Sequence, residues 1–306
     1  MGRFINPFTD IGFKRIFGQE FSKPLLLDFL NNLLEGERHI TSLQIIDKEQ
    51  AAEYKGDRSP EFDIFCETDT GEKIIVEMQN RSQPNFKERT LYYASEAIVR
   101  QGESGSDWDY GVKAVYLVSF MNFWLKDGGK EFRIDAGLTD LKTGKPFSDK
   151  LRLIYLQLLG FEKDADDCEN DFERWIYVLK NMDILQRIPW AAQNAVFQRL
   201  AEIGEVSAMT KEERIKYDHA LKAYRDTLNQ YRGAIQEGLE QGREQGREQG
   251  MAQGMAQGMA QGMAQGMAQG MEKARRENAL SMKADGMPVD LIAKYTGLTP
   301  DIIDSL

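Results

Sequence analysis

Residues 60–79 read PEFDIFCETDTGEKIIVEMQ, and this stretch decides the fold. Two apolar segments flank the turn Asp69-Thr70-Gly71, a three-residue hairpin loop with glycine where a left-handed conformation is needed. A loop of this length pairs Thr68 with Glu72, which fixes every other pair along the two strands. The stretch therefore predicts an antiparallel hairpin with a defined register.

Acidic side chains face one another across this hairpin. The register places Asp63 opposite Glu77 and Glu61 opposite Gln79, and strand alternation puts all four on one face. Directly opposed Cβ atoms lie about 4.5 to 5.5 Å apart, where like charges destabilise each other unless a cation binds or a pKa rises. The opposite face should pack into the core through Phe62, Ile64, Cys66, Ile74, Val76 and Met78.

A divalent cation is the natural partner of such a carboxylate pair. Hard Mg²⁺ takes one or two protein carboxylates and fills its other positions with water and substrate oxygens. The alternative is the solvated outer face of an antiparallel hairpin, on which Asp and Glu are common. Both interpretations remain open on the residues alone.

The composition narrows the class of protein. The chain has 306 residues, of which 42% are hydrophobic and 29% charged, as in globular proteins. Its net charge of -10 argues against bulk electrostatic coating of nucleic acid but not against a local site. Two cysteines and two histidines are too few for a disulfide framework or a zinc centre, so carboxylates must bind any metal. The apolar stretch 112–125 is too short to span a bilayer, so we expect no membrane association and a cytoplasmic protein.

Hydrophobic spacing predicts the order helix, strand, strand, strand, helix, strand before residue 162. The helices are predicted at 24–34 and 86–100, and the strands at 40–46, 62–66, 74–78 and 115–120. After residue 162 the spacing predicts only helices, at 172–182, 189–203 and 210–235. Pro189 is placed like a first-turn proline, and Thr210 with Glu213 forms a capping box.

A tetrapeptide repeat follows these helices. Glycine recurs every fourth residue from Gly238 to Gly270, with five copies of Met-Ala-Gln-Gly over residues 251–270. Each interior glycine costs a helix about 0.8 to 1 kcal/mol relative to alanine, so a helix here would need partners. Close packing of protomers at the glycines is one interpretation and predicts a homo-oligomer. A linker of partial helicity, produced by replication slippage, is the other.

Three motifs together carry a resemblance to a known family. They are the opening Asn6-Pro7-Phe8-Thr9-Asp10 with residues 13–18, the segment Phe62-Asp63-Ile64 and the segment Glu77-Met78-Gln79. They resemble the Rpn (YhgA-like) recombination-promoting nuclease and transposase family, within the PD-(D/E)XK nuclease superfamily. The resemblance implies a restriction-endonuclease-like α/β core of order αβββαβ with an α-helical C-terminal extension.

The resemblance also implies roles for the residues of the hairpin. Asp63 is the aspartate of the motif and Glu77 its second acid, both ligands of Mg²⁺ or another divalent cation, and Met78 offers its backbone carbonyl. Gln79 stands where the superfamily usually has lysine. An amide can orient a water or donate to a phosphate oxygen, but it brings no positive charge.

The missing charge must come from elsewhere, and residues outside the acidic pair are candidates for the site. The metal, Lys14, Lys73 or Arg89 could supply the charge. Asp10 is a candidate additional ligand, with a helix cap or helix-start carboxylate as the alternative. Lys14, Arg81 and Arg89 are candidate contacts to DNA phosphates, although the helix face of Arg89 could equally be plain solvated surface.

We predict four segments: a PD-(D/E)XK nuclease-like core at 1–162, an α-helical extension at 163–237, a Gly-x-x-Gln repeat linker at 238–272 and a small helical, helix-turn-helix-like tail at 273–306. The tail could equally serve oligomerisation or docking. The predicted function is Mg²⁺-dependent DNA endonuclease, hydrolysing phosphodiester bonds in recombination or transposition. The alternative is a catalytically weak DNA-binding or assembly protein that retains the nuclease fold.

Overall fold

A mixed six-stranded sheet organises the first part of the chain. The computed structural model describes residues 2–46, 62–102, 108–126 and 128–306. The strands are β1 (Leu43–Ile45), β2 (Ile64–Thr68), β3 (Lys73–Gln79), β4 (Val115–Met121), β5 (Arg133–Thr139) and β6 (Pro146–Gln157). Their spatial order is β1-β2-β3-β4-β6-β5. The pairs β3–β4 and β4–β6 are parallel, and the other three pairs are antiparallel.

The β2–β3 hairpin has the predicted register. Ile64 pairs with Val76 and Glu67 with Lys73, while Gly71 in the turn has φ 88°. Because this φ lies in the left-handed region, the turn requires a residue without a Cβ. The predicted position of Glu61 lies outside the described residues.

The helices that the spacing predicts occur in the predicted order, and the structure adds a helix at Asp10–Phe17 that the spacing does not predict. They are α1 (Asp10–Phe17), α2 (Lys23–Leu33), α3 (Phe86–Val99), α4 (Asp171–Asn181), α5 (Ala195–Gly204), α6 (Lys211–Ala284) and α7 (Val289–Thr296), followed by the shorter α8 (Pro300–Ser305). The predicted αβββαβ order corresponds to α2, β1, β2, β3, α3 and β4 and is confirmed. The spacing does not predict β5 and β6, which extend the sheet beyond β4.

The two faces of the sheet bury different clusters. The larger cluster joins even-numbered strand residues such as Ile74 and Val118 to α1, α2, α4 and α5, with Trp175 fully buried among Phe17 and Phe29. The smaller cluster lies between the odd-numbered strand residues and α3. Both faces are therefore covered by helices at the centre of the sheet.

Phe62 corrects one predicted assignment. The alternation places it on the face of Ile64, but it packs in the smaller cluster, 5.3 Å from the Phe65 ring and 5.5 Å from the Tyr93 ring. The physical reason is that β2 begins only at Ile64, so strand alternation does not extend back to residue 62.

The helices α4 and α5 pack on the larger cluster, and α5 begins later than predicted. Pro189 is not in the first turn of α5, because Trp190 has φ 62° and breaks the helical path. The helix begins at Ala195, where Asn194 is the cap and its side chain accepts a hydrogen bond from Val196 N at 2.8 Å. The predicted capping box of Thr210 and Glu213 is confirmed, with reciprocal bonds of 2.8 and 3.2 Å.

The chain folds as two compact units, residues 1–232 and 233–306. The second unit contains the repeat, which is helical as part of α6, and a small cluster of Ala279, Ile292 and Ile303. Gly297 ends α7 with φ 69°. Across the described ranges, every helix is too short or too polar to cross a membrane. The four predicted segment boundaries stay predictions.

Candidate metal centre

Asp63 and Glu77, the two motif acids, lie at the open end of the hairpin, where β2 begins and β3 ends. Asp63 directly precedes β2, and its Oδ2 accepts a hydrogen bond from the backbone N–H of Met78 at 2.8 Å. The ladder between β2 and β3 ends at the pair Ile64–Val76, so this bond continues the contact between the two segments beyond the ladder. The role of the Met78 carbonyl as a ligand stays a prediction.

Glu77 is buried on the face that α3 covers. This residue is only 3% exposed, so the solvated-face alternative does not apply to it. Burial raises the pKa of the Glu77 carboxyl to about 8, with the negative charge of Asp63 acting in the same direction and the positive charge of Arg89 opposing both. Within the described part of the chain, Glu77 Oε1 has no hydrogen-bond partner.

A chain of side-chain amides connects Glu77 to Arg89. Gln79 Nε2 lies 3.5 Å from Glu77 Oε2, and Gln83 Nε2 lies 3.5 Å from Gln79 Oε1. Arg89 in turn donates to Gln83 Oε1. These contacts place a guanidinium at the end of a polar chain that starts at the buried carboxylate.

Aromatic rings hold Arg89 in this place. Its guanidinium carbon lies 5.2 Å from the Phe86 ring and 5.8 Å from the Tyr93 ring, both on α3. Cation–π contact with partial burial fixes the direction of a side chain that would otherwise sample many rotamers. Arg89 is therefore half-buried beside Glu77, which differs from the plain solvated face of the alternative interpretation.

The opening motif is tied to the same end of β3. Asn80 follows Gln79, and its side chain donates to the carbonyl of Phe8 at 2.7 Å. Thr9 caps α1 by accepting from Gly12 N at 3.0 Å, so the cap is Thr9 rather than Asp10. Asp10 is the helix-start carboxylate of the alternative and forms an ion pair with Lys14.

The other predicted cations lie in different surroundings. Lys73 is at the beginning of β3, roughly 13 Å from Glu77 at the usual rise per strand residue, and it forms an ion pair with Glu67. Lys14 is paired with Asp10, and Arg81 is exposed. Of the candidates named for the missing charge, Arg89 is the one whose charge acts on Glu77.

The residues fit a small oxygen-ligand site. Among the described residues no group of three or more His, Cys, Asp and Glu side chains could hold a metal. Asp63 and Glu77 still provide two carboxylates, and one oxygen of Glu77 is buried with no partner among the described residues. This matches the one or two protein carboxylates that Mg²⁺ takes. A cation here would satisfy that oxygen and remove the repulsion between the two acids.

Gln83 and Ser119 are site neighbours that the sequence does not predict. Ser119 pairs with Glu77 across the parallel β3–β4 ladder and is fully buried. The sequence does contain a signal for Ser119. Within the run Val115–Met121, which is otherwise aliphatic or aromatic, Ser119 is the residue with an aliphatic hydroxyl. Its pairing partner could not be known, because parallel strands joined by a long crossover carry no register signal.

A family model for PD-(D/E)XK nuclease family transposases matches residues 7–234, which is more than half of the chain. The chain belongs to this family. The resemblance of the three motifs to Rpn-type nucleases is thereby confirmed, and so is the PD-(D/E)XK fold. No curated protein and no solved structure matches the chain. Membership indicates a nuclease or transposition function at the level of the family and a divalent metal as its usual cofactor.

Proposed function

We propose that this protein is a Mg²⁺-dependent DNA endonuclease that hydrolyses phosphodiester bonds during recombination or transposition. The observation that carries the proposal is the buried Glu77 carboxylate, with one oxygen unpartnered among the described residues, beside Asp63 at the end of the hairpin. A buried acid that repels its neighbour is costly in a purely structural role, and a bound cation removes that cost.

Asp63 and Glu77 would hold the ion, and Met78 would offer its carbonyl. The bond from Met78 N–H restricts the rotation of Asp63, so one ligand is oriented before any ion arrives. When bound, Mg²⁺ would lower the pKa of a coordinated water and neutralise charge on the phosphate. Asp10, at the start of α1, is proposed as a further ligand. Its carboxylate would then leave the ion pair with Lys14 and bind the cation instead.

Arg89 would supply the charge that Gln79 lacks. Its guanidinium is linked to Glu77 through Gln83 and Gln79, and its planar group offers several donors to phosphate oxygens. Gln79 would then orient the attacking water or donate to a phosphate oxygen. Arg81, which is exposed after β3, and Lys14 would contact phosphates of the DNA backbone.

A catalytically weak DNA-binding or assembly protein is the second candidate. Two observations favour it: Gln79 replaces the usual lysine, and the pKa of Glu77 near 8 leaves much of this acid protonated at neutral pH in the metal-free protein. The two candidates differ in one measurable property, which is turnover that depends on Asp63 and a divalent ion.

Nicking of supercoiled plasmid in Mg²⁺ and in EDTA tests the proposal. Asp63→Asn should lower cleavage by more than about 100-fold, since loss of a ligand exceeds the 10- to 100-fold typical of its outer partners. The variant should stay folded, because the Asn oxygen can still accept from Met78 N–H. Glu67→Gln is the matched control, an acid of the same hairpin whose partner is Lys73, and it should cleave like the wild type.

Full cleavage by Asp63→Asn, or cleavage by the wild type in excess EDTA, would refute the metal-dependent mechanism. Binding of DNA by both variants without cleavage by the wild type would instead favour the second candidate. Arg89→Gln in the same assay tests the charge, with reduced cleavage expected from a protein that stays folded although it loses the cation–π contacts with Phe86 and Tyr93.

A further inference from the structure

Ser119 is a fully buried hydroxyl in the centre of the sheet. It lies in β4, pairs with Glu77 on one side and pairs with Tyr155 of β6 on the other. Register partners in parallel strands point to the same face, so all three side chains lie on the face covered by α3. Its relative exposure is 0%, which makes it one of the most deeply buried polar residues described.

The hydroxyl of Ser119 is unsatisfied by the residues that the structure describes. In the part of the chain that the structure describes, Ser119 Oγ has no hydrogen-bond partner. Burying a hydroxyl without a partner is unfavourable, and alanine in its place would avoid that cost. A strand that is otherwise apolar therefore carries a polar group that lowers stability as it stands.

Of the two register partners of Ser119, Glu77 offers the stronger acceptor. Thr90 donates its proton to the carbonyl of Lys87, so the Tyr155 hydroxyl donates to Thr90 Oγ1 at 2.7 Å. The neutral phenol oxygen of Tyr155 accepts more weakly than a carboxylate oxygen does. Glu77, on the other side, has the oxygen Oε1, which is unpartnered among the described residues. Adjacent strands are about 4.8 Å apart, so rotation about the side-chain bonds of Ser119 and Glu77 brings hydroxyl and carboxylate into contact.

We propose that Ser119 is a positioning residue of the metal centre, whose hydroxyl donates to one oxygen of Glu77 when this acid is a ligand. The proposal rests on the proposed function, since it assumes that Glu77 and Asp63 bind a divalent cation. A donor on this oxygen fixes the plane of the carboxylate, and because a carboxylate oxygen has two lone pairs, the same oxygen can accept the hydrogen bond and bind the cation. Groups that orient metal ligands in this way typically change metal affinity 10- to 100-fold when removed.

A purely structural role makes opposite predictions. If Ser119 were an inert core residue, Ser119→Ala would leave metal binding unchanged. The positioning role predicts that Ser119→Ala lowers the affinity for the ion about tenfold or more, while the melting temperature of the metal-free protein is unchanged or raised. Ser119→Thr keeps the hydroxyl and should bind the ion nearly as the wild type does.

Titration of the full-length protein with Mn²⁺ alone, with free Mn²⁺ followed by electron paramagnetic resonance, measures this affinity without any turnover. Ser22→Ala is the matched control, because Ser22 is also fully buried but its hydroxyl already donates to the carbonyl of Gln19 at 3.0 Å. It should lose stability and keep the wild-type affinity for Mn²⁺. Asp63→Asn is titrated in parallel and should bind no Mn²⁺ at this site.

The outcomes separate the two proposals. Wild-type affinity in Ser119→Ala, together with loss of binding in Asp63→Asn, would overturn the role of Ser119 and leave the metal centre standing. No binding by the wild type, or equal binding by Asp63→Asn, would overturn the metal centre and the role of Ser119 with it. A Ser119→Ala protein that melts well below the wild type would also overturn the proposal, since the hydroxyl would then be structural.

Discussion

Glu77 is the residue at which folding and chemistry conflict. Burial and the nearby charge of Asp63 raise its pKa to about 8, so the metal-free protein holds a proton on this carboxyl at neutral pH. A divalent ion competes with that proton for the same oxygens. Binding of the ion should therefore release a proton, and affinity should increase as the pH rises toward 8.

Glu77→Gln tests the raised pKa through stability. In the unfolded protein the Glu77 carboxyl ionises near pH 4.5, whereas in the native protein it keeps its proton to about pH 8. The contribution of Glu77 to the free energy of unfolding of the wild type therefore falls as the pH rises from about 4.5 to about 8. Glutamine does not titrate. In EDTA the variant should match the wild type near pH 5, become the more stable protein as the pH increases, and show no further gain above pH 8.

Urea denaturation at about pH 5, 6.5 and 8.5 measures the difference across the window in which the two states bind different numbers of protons. Glu88→Gln, on the exposed side of α3, controls for removal of one negative charge. A difference between Glu77→Gln and wild type that stays constant with pH, or that grows toward low pH, would contradict a pKa raised by burial.

At the scale of elements, the β2–β3 hairpin was predictable because a short loop fixes its register. The strand β5 was not, because it is an edge strand whose residues are all half-buried or exposed and include Gly137. An edge strand needs little apolar alternation, so the pattern that identifies β3 is weak there. The register shifts around Leu138 weaken it further. The strand β6 lies between β4 and β5, and its buried apolar residues at 151 and 153–156 are a signal that the spacing analysis missed.

Some residues of the candidate metal centre could likewise be predicted from the sequence, and others could not. Asp63 and Glu77 could be placed together because they belong to one hairpin, whose geometry is local. Gln83, Arg89 and Ser119 come to the site through the α3 crossover and the parallel β3–β4 ladder. Neither the docking of a helix nor the register of strands so far apart in sequence follows from residue spacing. The sequence therefore named Arg89 as one of several candidates without placing it beside Glu77, and it did not name Gln83 or Ser119.

The beginning of α5 is an element-scale prediction with a definite sign. Asn194 caps this helix, so Asn194→Ala should lower the free energy of unfolding by about 1 kcal/mol. If the helix instead began at Pro189, residue 194 would be interior and alanine would stabilise it by up to about 0.7 kcal/mol. Chemical denaturation distinguishes the two, with exposed Gln193→Ala expected to change stability by less than about 0.5 kcal/mol.

For the whole molecule, the repeat in the second unit poses a problem of stability. Among the described residues, nothing lies within 4 Å of the position that a Cβ would occupy on any glycine from Gly238 to Gly270, and the repeat methionines are 62–78% exposed. A helix that carries glycine at every fourth position and buries none of its methionines has little to offset about 0.8 to 1 kcal/mol per glycine. Association with a second copy of the chain would bury the glycines and the methionines of the repeat. This consideration favours the predicted homo-oligomer over a free linker.

Two variants test self-association through the repeat by light scattering after size exclusion. Truncation after Ile235 should reduce the measured mass to that of a lower oligomer. The triple variant Gly254→Ala, Gly258→Ala and Gly262→Ala should raise helicity by circular dichroism, because alanine is the better helix former, yet lower the mass, because methyl groups prevent close approach of helices. A lower mass in the truncation alone would assign association to α7 and α8.

The three glycines are chosen for a geometric reason. Glycines spaced by four residues advance roughly 40° per repeat, so straight helices can meet along only a few repeats at a time. Substitution of three adjacent glycines should therefore suffice to disrupt the contact. An unchanged mass in both variants would contradict self-association and leave the repeat as a linker.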